Sequence, residues 1–170
     1  DDPDMIGDVM RFLDNVLSDF INKAPDQFKD AKYSAERERS VGLGVMGFHS
    51  FLQKKRIPLE SVMAKSWNKK IFKNIHEKVN KASKDLAEER GACPDAAEYG
   101  FKERFSNKTA IAPTASISII CGGASPGVEP IAANSYTHKT LSGSFNVRNR
   151  YLEEILESHG KNDDETWSTI

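Results

Sequence analysis

The sequence predicts an α/β chain, rich in helix and with short strands between the helices. Three observations carry that prediction. Two long segments, Met5 to Ile21 and about Ser61 to Arg90, repeat apolar residues at helical spacing. Short β-prone runs lie at 109–112, 132–140 and 144–149. No internal repeat or low-complexity tract interrupts this order, and too few strands are visible to close a sheet by themselves. A chain of 170 residues buries one respectable core, so one domain over 1–170 is the default.

Composition excludes more than it selects. The chain has 24 Lys and Arg against 25 Asp and Glu, a net charge of −1. No basic excess points to direct contact with nucleic acid. Mean hydropathy is −0.55 and no apolar run reaches the length of a membrane span, so no membrane partner is expected. Cys93 and Cys121 stand in unlike contexts without metal-ligand spacing, so no metal site is expected. That usage fits a reducing, cytoplasmic compartment. The chain opens on Asp1-Asp2-Pro3 and closes on Trp167 to Ile170. Both ends look cut from a longer polypeptide, although processing would also account for the missing methionine.

The first helix carries Met5, Ile6, Val9, Met10, Leu13, Val16, Leu17, Phe20 and Ile21, with Asp4 as N-cap and Pro25 past its end. Its stripe faces the protein's own layers, with docking of a partner chain as the alternative. From Asp26 to Ser40 the chain is polar. Glu36, Arg37, Glu38 and Arg39 could bind an anion through the arginines. Alternating charges more often form a solvated face or local ion pairs of little worth.

Val41 to Gly47 reads VGLGVMG. Gly42, Gly44 and Gly47 fit the G-x-G-x-x-G spacing of a dinucleotide turn. Barely two apolar residues precede it, and no strand ends in an acid at the expected distance, so close backbone packing is the stronger reading. Phe48 to Lys55 is a short helix, and His49 among aromatics reads as structural. After Pro58 the long helix is capped by Ser61 or Glu60 and stopped by Gly91. Its stripe is Met63, Trp67, Ile71, Ile75, Val79, Ala82 and Leu86. Gly91 to Asn107 is a connection in which Cys93, with neither a base nor an electropositive setting in view, reads as a buried or incidental thiol.

Thr109 to Pro130, TAIAPTASISIICGGASPGVEP, is the stretch that offers chemistry. Thr109 to Ala112 suits a buried strand, which breaks at Pro113. Small residues follow, then Ile117 to Ile120 and a glycine-rich segment. A helix starting there points unpaired N–H groups outward, where they and the helix dipole favour an anion. The stretch therefore reads as a phosphate-binding turn or as a plain strand–turn–helix joint, and pattern alone favours the joint. Beyond it, a Ser-Gly turn at Leu141-Ser142-Gly143 joins two β-prone runs as a hairpin. A last helix, Tyr151 to Ser158, stops at Gly160 and leaves a polar tail, Lys161 to Glu165.

Taken together, ERERSVGLGVMGFHSFL (Glu36 to Leu52), KDLAEERGACP (Lys84 to Pro94), IAPTASIS (Ile111 to Ser118), GVEP (Gly127 to Pro130) and LSGSF (Leu141 to Phe145) occur in one order. This order resembles the large, catalytic alpha subunit of class I ribonucleotide reductase, in its bacterial or phage style, over essentially the whole chain. The combination is specific where each motif alone is not. The resemblance implies a ten-stranded α/β barrel, with this chain a piece of its later half. It implies an oxidoreductase that makes deoxyribonucleotides by radical chemistry, with a thiyl radical generated from a small partner subunit. The family's phosphate loop maps onto Pro113, Thr114, Ala115, Ser116 and Ile117. Many relatives carry a hydroxyl where Ile117 stands, so one side-chain contact is lost there.

The resemblance also says what to expect missing. The radical cysteine of the family lies in N-x-C-x-E, and neither Cys93 in GACPD nor Cys121 in IICGG fits. The redox cysteines have no match either. No catalytic residue and no cofactor is therefore assigned to this segment. Substrate, the remainder of the alpha subunit, the radical-generating subunit and nucleotide effectors are the expected partners of the whole. A piece of a naturally split reductase and a stand-alone phosphate- or nucleotide-binding module are the alternatives.

Overall fold

The computed structural model describes residues 4–140 and 143–170, in two compact units. The first comprises 1–44 and 65–112, the second 45–64 and 113–170. Asp1 to Pro3, and Leu141 and Ser142 of the expected hairpin turn, lie outside the described residues.

The first unit is built on two helices. Helix α1 (Met5–Lys23) follows the predicted periodicity. It buries Ile6 and Met10 against Val79, Ala82 and Leu86 of helix α4 (Val62–Arg90), with Phe105 completing the cluster. Burying each large side chain contributes about 1.5–3 kcal/mol. Only part of each predicted stripe is used. Met5, Val9, Phe12, Val16 and Phe20 of α1 and Met63 of α4 are exposed. Asp4 occupies the N-cap position without a side-chain cap bond, whereas Ser61 caps α4 by accepting from the Ala64 N–H at 3.1 Å. Gly91 ends α4 with φ +88°, a conformation that favours glycine.

The polar stretch forms a short 3₁₀ turn (Asp26–Phe28) and helix α2 (Lys29–Glu38). Here the expectation of a solvated face with local ion pairs is corrected. Arg37 reaches across to Glu98 at 2.7 Å and to Asp95, both on helix α5 (Pro94–Glu98), a five-residue helix inside the expected connection. Arg39 turns inward from a left-handed backbone (φ 45°) and is buried. Its target is Asp14, a fully buried carboxylate on the core side of α1.

Asp14 collects three arginines. Arg39 donates to Oδ1 from Nη2 at 2.7 Å, Arg104 from Nε at 2.9 Å, and Arg90 donates to Oδ2 at 2.8 Å. Arg39 also donates to the Asp14 carbonyl and to Ser18 Oγ, and Arg104 to the carbonyls of Arg90 and Gly91. Burial alone would push the Asp14 carboxyl up. The hydrogen bonds from Arg104, Arg90 and Arg39 outweigh it and hold the group below the usual carboxylate range.

The glycine-rich run lies beside the 108–110 segment. Leu43 and Thr109 form a parallel bridge, with the Leu43 N–H donating to Lys108 and the Ala110 N–H to Leu43. A Cβ on Gly42 would come within 2.9 Å of Ala110 Cβ, and one on Gly44 would collide with the Ala110 carbonyl oxygen. These glycines are there for close approach, as expected. The buried strand expected at Thr109 to Ala112 is reduced to this one bridge, with all four residues exposed. Pairing reaches it from one side only among the described residues, and a single bridge is not a ladder.

The second unit contains helix α3 (Phe48–Lys54), helix α6 (Ala115–Ile120), strands β1 (Ser135–Thr140) and β2 (Gly143–Arg148), helix α7 (Arg150–Ser158) and helix α8 (Asp164–Ser168). The strands pair antiparallel, from Ser135 with Arg148 to Thr140 with Gly143. Asn149 caps α7 by accepting from the Tyr151 N–H at 3.1 Å. Part of the expected polar tail is helical, because Asp163 caps α8 and Trp167 is buried. Trp167 Nε1 donates to Asn162 at 2.7 Å, and Arg148 lies over its ring.

Replacing Asp14 tests the first unit. Asp14→Asn leaves three guanidiniums without their counter-charge and is expected to cost roughly 3–5 kcal/mol in urea unfolding. Because the folded carboxyl is depressed, its contribution is full above the unfolded value of about 3.9 and is lost as pH falls through the lower folded value. Unfolding free energy should therefore drop more steeply below about pH 4 in the parent than in the variant.

Candidate functional site

Of the five residues expected at the phosphate turn, all lie in the second unit, at the start of α6. Pro113 ends the extended run. Thr114 takes a left-handed backbone (φ 45°, ψ 25°), unusual without glycine, and turns the chain into the helix. The first bond of the helix runs from the Ser118 N–H to the Thr114 carbonyl at 2.8 Å. The N–H groups before it, at Ala115, Ser116 and Ile117, have no acceptor among the described residues, and the side chains of these three residues are exposed. That is the arrangement of donors an anion takes at a helix start.

The turn is held from behind. Thr114 Oγ1 accepts from the Gly127 N–H at 3.2 Å, which leaves its own proton to donate. Ser118, the buried residue of α6, donates from Oγ to the Ala115 carbonyl, and its carbonyl accepts from the Ala124 N–H. The glycine-rich segment is thereby folded back on the helix it follows. Gly122 and Gly123 make that reversal with φ of 83° and 69°. Cys121, at the end of α6, is exposed, and Cys93 is fully buried in the other unit.

A pair of serines fixes the segment to α3. The Ser125 N–H donates to Ser50 Oγ at 2.8 Å, and the Ser50 N–H donates to Ser125 Oγ at 3.1 Å. The Gly47 N–H donates to the Ser125 carbonyl at 2.7 Å. Gly47, the N-cap of α3, has no side chain with which to cap. Ser125 supplies the missing oxygen to the third residue of the helix, the role an N-cap serine plays locally. Both serines are buried, so each leaves an orphan if the other is lost. Sequence reading missed this clasp, because its partners lie 75 positions apart and neither spacing nor residue type marks them.

His49 is structural, as expected. Its Nδ1 accepts from the Ile131 N–H at 3.2 Å, just past the GVEP motif. Burial lowers its pKa, with Glu60 pulling weakly the other way, so the neutral ring is favoured. Among the described residues no group of three or more His, Cys, Asp or Glu could hold a metal ion. No helix among them is long and apolar enough to cross a membrane.

Comparison with known proteins gives the family to which these elements belong. The family model described as "Ribonucleotide reductase, barrel domain" matches residues 3–103 and 94–170, and the chain belongs to this family. The large subunit of ribonucleoside-diphosphate reductase from Invertebrate iridescent virus 3 is 45% identical over 166 residues, 96% of this chain and 26% of that protein. Its counterpart from Invertebrate iridescent virus 6 is 48% identical over 97% of this chain and 17% of its own length. Among solved structures, the Actinobacillus ureae class Id ribonucleotide reductase alpha subunit superposes with a TM-score of 0.87. It is 37% identical, over 99% of this chain and 31% of that one. The chain thus spans about a quarter or less of the length of these curated relatives. The α/β barrel expectation holds, and the short, sparsely paired strands are those of part of such a barrel.

Ser125→Ala removes the acceptor of a buried N–H while leaving the backbone free to stay in place. It should cost about 1–3 kcal/mol. Amide hydrogen exchange should show Ser50 losing protection before the α7 amides do.

Proposed function

We propose that this chain serves the reduction of ribonucleotides to deoxyribonucleotides, and that its Pro113 to Ile117 turn grips the phosphates of the substrate. The observation that carries this reading is the row of N–H groups at the exposed residues Ala115, Ser116 and Ile117, without an acceptor among the described residues and opened by the left-handed Thr114. The Thr114 and Ser116 hydroxyls add donors on the same turn. Ile117 offers only its backbone there.

The work of such a turn is positioning and charge stabilisation. Fixed donors hold the phosphates, and thereby the sugar, in one place without reorganising. The turn supplies no acid, base or nucleophile. In this reading the radical and redox cysteines are contributed from outside these 170 residues, since neither Cys93 nor Cys121 stands in N-x-C-x-E. The other participants are the rest of a large subunit, a small radical-generating subunit and nucleotide effectors. With a reductant and such a subunit, the chain alone is expected to form no deoxynucleotide.

Ser116→Asp tests the grip. A carboxylate in the first turn favours the helix dipole, so folding should be unchanged or slightly strengthened. The same charge repels phosphate. Calorimetric titration with a ribonucleoside diphosphate should show at least a ten-fold weakening in Ser116→Asp and a two- to ten-fold weakening in Ser116→Ala, with the melting temperature held. Equal affinity in all three proteins contradicts the assignment.

A further inference from the structure

We propose that His49 is a positioning residue for the phosphate turn: it holds the Gly127–Ile131 strap behind the turn only while its ring is neutral, so the grip on an anion weakens when the ring takes up a proton. The proposal rests on the reading of Pro113 to Ile117 as an anion-binding turn, and adds to it what controls that turn.

The strap is fastened at its two ends, both within the second unit. At one end the Gly127 N–H donates to Oγ1 of Thr114, the residue whose left-handed backbone opens α6. At the other end the Ile131 N–H donates to His49 Nδ1 at 3.2 Å. Between them Pro130 has no N–H to offer, and the N–H groups of Val128 and Glu129 have no acceptor among the described residues. The strap thus keeps its place through one bond to a hydroxyl and one to an imidazole. Ser125, just before it, is clasped to Ser50, the neighbour of His49 on α3. Helix α3 therefore holds the loop behind the turn at two consecutive residues, of which only His49 titrates.

A backbone N–H donates only to a ring nitrogen that carries no proton, so this bond selects the neutral ring with its proton on Nε2. A second proton turns Nδ1 from acceptor into donor, and two donors then face each other at hydrogen-bond distance. Ile131 must move away, and the strap is left on Thr114 alone. A Thr114 hydroxyl that follows a loose strap no longer fixes the backbone that aims the Ala115, Ser116 and Ile117 N–H groups. The half-buried ring already leans to the neutral form. Burial pushes its pKa below the ordinary 6.5, against the pull of Glu60 from the loop after α3. Neither Glu129 of the strap nor Arg150, Glu153 or Glu154 of α7, which packs against α3, contributes to that shift. Because the folded value is depressed, the hold is complete above the ordinary 6.5 and is lost as pH falls through the lower folded value.

The test is a heteronuclear NMR titration of the intact chain with sulfate at about pH 7.5 and about pH 5, on either side of the histidine range. Sulfate keeps its charge across that interval, whereas phosphates gain a proton within it. In the parent, sulfate affinity read at the Ala115, Ser116 and Ile117 amides should fall about three- to ten-fold at the lower pH. Without sulfate, the Ile131 and Gly127 amides should titrate together with the His49 ring, at one midpoint below about 6.5. His49→Asn sets an amide oxygen near the place of Nδ1, where it accepts at every pH. It should bind sulfate like the parent at the higher pH and show no fall at the lower. His49→Leu offers no acceptor and should bind at both pH values as weakly as the parent does at the lower. The other three histidines gain charge alike in all these proteins, so the comparison isolates the ring at 49. Turn amides unmoved by sulfate at the higher pH overturn the turn assignment, and this control with it. If sulfate binds there but the parent shows no fall, if the fall survives in His49→Asn, or if the Ile131 amide does not follow the ring, the role of His49 is overturned and the turn stands.

Discussion

The buried carboxylate of Asp14 is the constraint on which the first unit depends. A charge taken fully out of water is tolerable only when neighbours replace its hydration. Here three guanidiniums do so, and they come from the end of α2, the end of α4 and the connection after α5. The one group therefore ties four separated stretches of chain to a single point. Arg104, once drawn to Asp14, brings Phe105 into the apolar cluster beside Met10 and Leu86. Arg39 fixes where Val41 begins, and so which backbone the close-packed glycines meet. An apolar cluster alone tolerates sliding, whereas directional hydrogen bonds to one carboxylate do not.

In the second unit the same logic works without charge. Ser50 and Ser125 exchange N–H to hydroxyl bonds, and Thr114 takes the Gly127 N–H. Three sequence motifs, around Gly47, Pro113 and Gly127, are thereby joined through polar atoms. The co-occurrence of these motifs in one order becomes a structural requirement. The turn needs the glycine-rich segment behind it, and that segment needs the start of α3. What faces outward is left unpaired, and that is the face on which ligand chemistry is possible.

The elements legible in the sequence were those with enough length to show a period. Helices α1, α4 and α7 and the β1–β2 pair announce themselves by spacing, and Gly91 and Gly160 mark their ends. Helices α5 and α8 are five residues each, too short for any period, although the Asp163 to Thr166 spacing in front of Trp167 is a cap signature that was there to be read. Arg39 was misread because a run of alternating charges looks the same whether it faces water or a distant Asp14. Periodicity along α1 reports an apolar face and not what covers it, and Met5, Val9, Phe12, Val16 and Phe20 are exposed in this chain. At the candidate site, Pro113 and the small residues after it were visible. The clasp that holds them was not, since two serines 75 positions apart leave no pattern.

The most direct measurement of the central claim is the response of individual amides to inorganic pyrophosphate, followed by heteronuclear NMR at moderate salt. The Ala115, Ser116 and Ile117 amide protons are expected to move downfield together and saturate with one dissociation constant. A response spread over exposed lysine-rich segments such as Lys69 to Lys73, with the three turn amides unmoved, would contradict it.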